Sequence, residues 1–120
     1  MELYKIISAR GVLEGFAEKS DIGAHLAYWM TKFVVKTNDE YEFYLSEMRK
    51  LYAKYATDNV DGSAFVPNEH VTEFNEAVDA LNKTDAEDPG IRFSLSELSA
   101  ELKLSMKQMY PLLDFIDEEK

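Results

Sequence analysis

The residues from Asp21 to Ala56 constrain the fold of this chain more than any other stretch. The stretch contains no proline, and from Leu26 to Tyr55 its apolar and aromatic residues, with Thr37 taking one position of the series, recur at steps of three or four. That step is the period of one helix face, so the pattern predicts a single long helix over 21–56. At about 1.5 Å per residue the helix would be roughly 50 Å long. Other segments, or a second chain, must therefore cover its apolar stripe.

The first half of this predicted helix is apolar on two sides. Tyr28 and Val35 lie roughly opposite the main stripe at about 100° per residue, and Phe43 also falls off the stripe. A preceding helix at 2–18 can cover only one side, so the second side must be covered by a two-fold partner or by the C-terminal segment. Because large apolar and aromatic residues are favoured at interfaces, Tyr28, Val35 and Phe43 are candidate partner-binding residues.

The other segments complete a mainly α fold. We expect an antiparallel helical hairpin with one long helix, a small β ribbon between 63–66 and 91–95, and a short C-terminal helix pair. Asp21 is the expected N-cap of the long helix, and a bend is expected at Asn38-Asp39. The predicted elements of a single domain over 1–120 are a helix at 2–18, the long helix at 21–56, a turn and short strand at 57–67, an acidic helix at 69–82, a strand at 91–95, a helix pair at 95–116 and a tail at 117–120.

The net charge of −10 is concentrated in the middle of the chain. Residues 57–90 hold nine acids and one base, Lys83. This balance argues against a general nucleic-acid binder and against binding to an anionic membrane surface. It favours a basic partner, mimicry of a nucleic-acid backbone, or simply a solvated face. The candidate residues of the acidic face are Glu69, Glu73, Glu76 and Asp79.

No catalytic, cofactor or metal motif stands out, so we expect neither an enzyme nor a bound cofactor. The absence of cysteine excludes disulfides, thiolate zinc sites and cysteine nucleophiles. The Asp58-Asn59-Val60-Asp61-Gly62 run fails as a calcium loop because Thr57 and Asn68 stand where acidic ligands are needed. His70 and Glu73 have a ligand-like spacing but no third ligand.

The C-terminal segment 93–116 offers a competing interpretation. Two capping boxes, one beginning at Ser94 and one at Ser105, open consecutive helices as in a helix-turn-helix DNA binder. In that interpretation Ser105, Lys107, Gln108 and Tyr110 would face DNA. Against it, Pro111 interrupts the second helix, and the segment is net acidic without an arginine. A structural helix pair has the same pattern.

The first residues of the chain and its hydropathy predict a soluble cytoplasmic protein. The start, MELYKIISARG, lacks the order of charges and the cleavage site of a signal peptide. No apolar run approaches the roughly 20 residues that span a bilayer. We therefore expect no membrane partner.

The order of these parts resembles an uncharacterised family of short proteins encoded by bacteriophages of Gram-positive bacteria. The resemblance depends on the LYAKYATDNVDG sequence at 51–62 and on the closing FSLSEL, LKLS and LL segments. It implies a phage origin and a place in the host-cell cytoplasm. Small proteins of that kind are assembly components or inhibitors of host machinery, and both act by binding proteins.

The functional prediction is therefore a non-enzymatic protein–protein interaction module. Its partner would be a phage protein, a host protein or a second copy, the last through a coiled-coil-type homodimer of the long helix. The alternative is an acidic nucleic-acid mimic that inhibits a host DNA-binding or defence protein. The second alternative is the helix-turn-helix DNA binder.

Overall fold

The computed structural model describes residues 1–117, and its fold is mainly helical, as the sequence predicts. The three tail residues 118–120 lie outside the described range. No helix within 1–117 combines the length and the hydropathy needed to cross a membrane.

The helices are α1 (Leu3–Glu14), α2 (Ala24–Lys36), α3 (Asn38–Tyr55), α4 (Asn68–Asn82), α5 (Leu95–Glu101), α6 (Met106–Met109) and a 3₁₀ helix (Tyr110–Phe115). The strands are β1 (Thr57–Asp58), β2 (Ala64–Phe65), β3 (Phe93–Ser94) and β4 (Ile116–Asp117).

The predicted single helix over 21–56 is interrupted at Thr37, so α2 and α3 are separate helices. Thr37 has φ −98° and ψ 10°, outside the helical range. Its side chain is buried, and its hydroxyl donates to the carbonyl oxygen of Phe33 at 2.7 Å. Such a bond competes with the backbone ladder of a helix. The interruption therefore lies one residue before the bend expected at Asn38-Asp39.

The start of α2 also differs from the expected cap. Asp21 is exposed and pairs with Lys19 at 2.7 Å. The N-cap is Gly23, whose N–H donates to the carboxylate of Glu101 on α5. A carboxylate at a helix N-terminus satisfies an exposed N–H and complements the helix dipole. The cap thus comes from a distant helix, so local sequence could not reveal it.

The two small sheets pair differently from the predicted ribbon. β1 and β2 form an antiparallel pair in which Thr57 lies opposite Phe65, around a turn that contains Gly62 at φ +88°. β3 pairs in parallel with β4, with Phe93 beside Ile116. The predicted pairing of 91–95 with 63–66 is therefore wrong. The turn between β1 and β2 brings these two neighbouring strands together. Residues 63–66 therefore pair with 57–58 and not with 91–95.

The C-terminal pair is shorter than predicted over 95–116. The capping box between Ser105 and Gln108 is present, with hydrogen bonds in both directions. The α-helix that follows has only four residues before the chain tightens into the 3₁₀ helix. Pro111 lies at the start of that helix, where its missing N–H costs no helical hydrogen bond. The interruption expected at Pro111 is seen as the change from α-helix to 3₁₀ helix at Tyr110.

The hydrophobic core lies at one end of the molecule, and we call this end the body. It is formed by α1, α2, α5, the 3₁₀ helix and the strand β3, with these members: Ile6, Ala9, Leu13, Leu26, Met30, Phe33, Ile91, Phe93, Leu98, Leu102, Leu112 and Phe115. In contrast, no residue from Asn38 to Ala80 is fully buried. We call residues 38–80 the arm, which consists of α3, the β1–β2 hairpin and most of α4.

The dimensions of the molecule agree with this division. The radius of gyration is 17.0 Å, and the principal extents are 50 × 32 × 25 Å. A compact chain of this length would have a radius of gyration of about 14 Å. The molecule is therefore elongated, and the arm is stabilised by packing of α3 on α4 and by contacts with α1 rather than by a core of its own.

Candidate functional site

An open apolar groove lies between the end of α1, the loop after it and one side of α2. Its volume is about 520 Å³. The main-chain path explains the groove: α1 ends at Glu14, and the loop returns to α2 without placing a further helix over their junction. The lining residues are mostly apolar: Leu13, Glu14, Phe16, Ala17, Lys19, Ile22, Ala27, Met30, Thr31, Val34 and Val35.

Of the two predicted partner-binding residues on α2, Val35 lines this groove and Tyr28 lies outside its lining. Val35 lines the groove and is 65% exposed. Tyr28 stands two turns earlier on the same face of α2 and is 57% exposed. Its ring meets the ring of Trp29 edge-on, with the centroids 5.2 Å apart. Tyr28 and Val35 therefore expose an aromatic and an aliphatic side chain on one face of α2.

Phe43, the third predicted apolar contact, is not part of the groove. It lies on α3, is 46% exposed, and borders a separate depression of about 310 Å³. That depression is formed with Leu3 of α1 and with the loop residues Thr84 to Ala86. The structure therefore brings Tyr28 and Val35 to one surface and places Phe43 on another.

The predicted acidic face is present on the outer side of α4. The four carboxylates are exposed, at Glu69, Glu73, Glu76 and Asp79. Asp79 pairs with Lys83 one turn later at 2.9 Å, and this hydrogen bond raises the pKa of Lys83. The opposite side of α4 packs on α3. The acidic residues form a solvated stripe on the arm, and none of them lines the groove.

The C-terminal segment does not form the two full helices of a helix-turn-helix. Its second α-helix, Met106–Met109, has four residues, and the side chain of Gln108 is used in the capping box. A recognition helix must be long enough to lie in the major groove with its N-terminal residues on base edges. The arrangement thus gives the DNA-binding interpretation no geometric support.

The acidic turn that resembled a calcium loop is explained by its own hydrogen bonds. Asp61 accepts from both the N–H and the hydroxyl of Ser63, at 3.1 and 2.7 Å. These bonds lower the pKa of Asp61. Among residues 1–117, no group of three histidine or acidic side chains has a geometry that could hold a metal ion.

Sequence reasoning did not identify Phe16, Ala17 and Ile22 as part of the site. The sequence pattern predicts Phe16 within the first helix, whereas the helix ends at Glu14 and Phe16 follows it in the turn. Gly15, directly after the helix, was the available signal for that early end. Comparison of the chain with models of known protein families, with curated protein sequences and with solved structures gives no match.

Proposed function

We propose that this protein is a non-enzymatic protein–protein interaction module, and that its partner inserts apolar side chains into the groove between α1 and α2. The observation that carries this proposal is the uncovered groove together with the exposed Tyr28 and Val35 on its α2 side. Apolar depressions beside exposed aromatic residues are common centres of binding energy in interfaces. The resemblance to phage proteins suggests a phage or host protein in the bacterial cytoplasm as the partner.

The two charged residues that line the groove are already in ion pairs, Glu14 with Arg10 and Lys19 with Asp21, so the charges that can meet a partner are those of α2. The helix α2 contains Lys32 and Lys36 and no acidic residue. Lys32 is exposed one turn from Tyr28, whereas Lys36 donates to the carbonyl oxygen of Pro89 at 3.3 Å. A carboxylate of the partner near Lys32 would orient it and raise the association rate.

The proposal is tested by capture with two matched variants. Val35→Asp places a charge in the groove, and Val60→Asp makes the same change at an exposed valine in the β1–β2 turn. Wild-type protein and Val60→Asp, immobilised separately, should retain the same protein from a Gram-positive host lysate. Val35→Asp should retain at least about tenfold less of it. Equal retention by all three proteins would contradict the proposal.

An acidic nucleic-acid mimic is the second candidate, because the four carboxylates of α4 are exposed along one helix. Mimicry requires binding that weakens steeply with salt. It also requires that binding is lost when Glu69, Glu73, Glu76 and Asp79 are changed to lysine. Binding that survives those four changes would exclude the mimic.

The helix-turn-helix alternative predicts that the protein shifts the electrophoretic mobility of duplex DNA and that Lys107→Glu abolishes this shift. This alternative ranks last because α6 has only four residues.

A further inference from the structure

The break between α2 and α3 lies in a stretch without the residues that break helices most strongly. The sequence from Ala24 to Ala56 has neither glycine nor proline. Within the described residues, two backbone hydrogen bonds cross the break: the N–H of Thr37 donates to Phe33 at 3.1 Å, and the N–H of Tyr41 donates to Thr37 at 3.0 Å. The helical ladder is therefore present on both sides of Thr37, and it is open only at the donors between these two.

The donors left open are the N–H groups at the start of α3. Asn38, Asp39 and Glu40 form its first turn, whose N–H groups have no partner within their own helix. In a continuous helix the N–H of Asn38 would donate to the carbonyl oxygen of Val34, four residues earlier. That oxygen instead accepts from Nη1 of Arg10 at 2.7 Å. The guanidinium of Arg10 thus takes the acceptor that the helical ladder would use.

Arg10 contacts the chain on both sides of the break. Beyond its bond to Val34, Nη1 donates to the hydroxyl of Thr37 at 3.4 Å, and Nη2 donates to the side-chain oxygen of Asn38 at 3.5 Å. The guanidinium carbon lies 4.3 Å from the ring centre of Tyr41. The Arg10 side chain is only 7% exposed, so these contacts are shielded from water. A side chain that inserts into the ladder is a recognised cause of sharp helix breaks.

We propose that Arg10 holds α2 and α3 apart as two helices, and that the chain has a second conformation in which Arg10 is withdrawn and residues 24–55 form one continuous helix. The period of apolar residues runs through position 37 without a shift, so the sequence also fits the continuous helix. The break is thus a hinge between the body and the arm. Two partners of Arg10, Glu14 and Val34, also line the groove, so the hinge lies beside it. The inference concerns the conformation of the chain and does not depend on the proposed function.

Thr37 and Asn38 offer a local explanation of the same break. The Thr37 hydroxyl donates to the carbonyl oxygen of Phe33, and bonds of this kind often bend helices. Asparagine also has a lower helix propensity than alanine. The shortest bond to the Val34 oxygen, however, comes from Arg10 at 2.7 Å, against 3.4 Å from the Thr37 hydroxyl. Arg10 is therefore the stronger competitor for the acceptor that the ladder lacks.

The test is amide hydrogen exchange, measured residue by residue by NMR. Arg10→Met removes every donor and keeps much of the apolar stem, so the Val34 oxygen becomes available to the N–H of residue 38. The amides of residues 38–40 should then exchange at least about tenfold more slowly, relative to the amide of Glu42, than they do in the wild type. The Glu42 amide is the reference because its ladder bond lies within α3 in both conformations.

Three further variants separate Arg10 from the local explanation. Thr37→Val and Asn38→Ala remove the local features, and both should leave the exchange of the amides of residues 39 and 40 as in the wild type. Arg10→Lys keeps a charge beside Glu14, but its ammonium ends one bond short of the Nη atom that reaches Val34. It should therefore slow the same amides as Arg10→Met, by a smaller factor.

Slower exchange is the decisive result, since a loss of stability makes amides exchange faster. Amides of residues 38–40 that are already as protected in the wild type as that of Glu42 would overturn the proposal. So would unchanged exchange in the arginine variants, or equal slowing in Thr37→Val or Asn38→Ala. If Arg10→Met does not fold, the result for Arg10→Lys decides.

Discussion

The guanidinium of Arg10 donates to the carbonyl oxygen of Val34 across 2.7 Å, and this contact joins α1 to the last turn of α2. The same side chain lies with its guanidinium carbon 4.3 Å from the ring centre of Tyr41 on α3. It also pairs with Glu14 at 2.9 Å. Arg10 is buried, and its fixed donors match the carbonyl groups that a helix end leaves unpaired. It therefore connects the body to the arm.

Replacing this arginine should destabilise the fold. Arg10→Met keeps much of the apolar stem but removes every donor, which leaves the Val34 carbonyl without its guanidinium partner. We expect a loss of about 2–3 kcal/mol in the free energy of unfolding, measured by denaturant titration. Lys107→Met, at an exposed position of α6, should change it by less than about 0.5 kcal/mol. Similar losses for the two variants would mean that Arg10 does not act as a connector.

A methyl group at Gly23 should displace the carboxylate that caps α2. A Cβ built at Gly23 would lie 2.6 Å from Oε1 of Glu101. Gly23→Ala should therefore reduce stability by about 1 kcal/mol, the usual cost of a lost cap. The cost should shrink in a Glu101→Ala background, where no carboxylate has to move.

Gly11→Ala is the matched control for this experiment. Gly11 lies inside α1, and a Cβ there meets nothing within 4 Å. Because alanine has the higher helix propensity, this change should stabilise the protein by up to about 1 kcal/mol. The prediction fails if both alanine variants shift the thermal midpoint in the same direction.

The ion pair of Asp88 with Arg92 should make stability depend on pH in acid. Hydrogen bonds from Arg92, with one from the Gly90 N–H, lower the pKa of Asp88 from 3.8 to about 2. A carboxyl group whose pKa is lowered by folding stabilises the protein above its unfolded pKa, and this stabilisation is lost as the pH falls toward the folded value.

This pH dependence is tested by comparing the thermal midpoints of the wild type and of Asp88→Asn over a series of acid pH values. The wild type should be the more stable near neutrality, and the difference should disappear between about pH 4 and pH 2. Asp58→Asn corrects for the general effect of removing one negative charge. A difference that stays constant down to pH 2 would show that the ion pair does not stabilise the fold.

The arm should open more readily than the body. Backbone amides of α3 and α4 have no fully buried side chain over them from Asn38 to Ala80, whereas α1 and α2 surround the core. In hydrogen exchange at low protein concentration, peptides from the arm should exchange faster than peptides from the body. Uniform exchange rates would contradict the division into body and arm.

The part of the fold that was predictable is the part set by local chemistry. The period of three and four residues identifies the helices, and Ser105 with Gln108 identifies the start of α6. The missing N–H of Pro111 marks the change to the 3₁₀ helix. Each of these signals depends only on residues a few positions apart, so it can be recognised in the sequence without knowledge of the fold.

The features that could not be predicted depend on distant contacts. At the break between α2 and α3, Arg10 donates a hydrogen bond to the hydroxyl of Thr37, which is 27 residues away in sequence. The carboxylate that caps α2 belongs to Glu101, which is 78 residues from Gly23. The parallel pairing of Phe93 with Ile116 involves strands of two residues, too short to leave a pattern. Periodicity placed Tyr28 and Val35 on a second face of α2, but the groove beside them depends on where the loop after α1 runs.

The most direct test of the proposed interaction surface is photo-crosslinking from Tyr28. A photoreactive phenylalanine analogue replaces Tyr28 in one protein and Tyr110 in a control, since Tyr110 is also exposed but lies on the C-terminal 3₁₀ helix. After irradiation in a host lysate, we predict one discrete protein adduct from position 28, which Val35→Asp abolishes, and no such adduct from position 110. The same adducts from both positions, or none from position 28, would contradict the account.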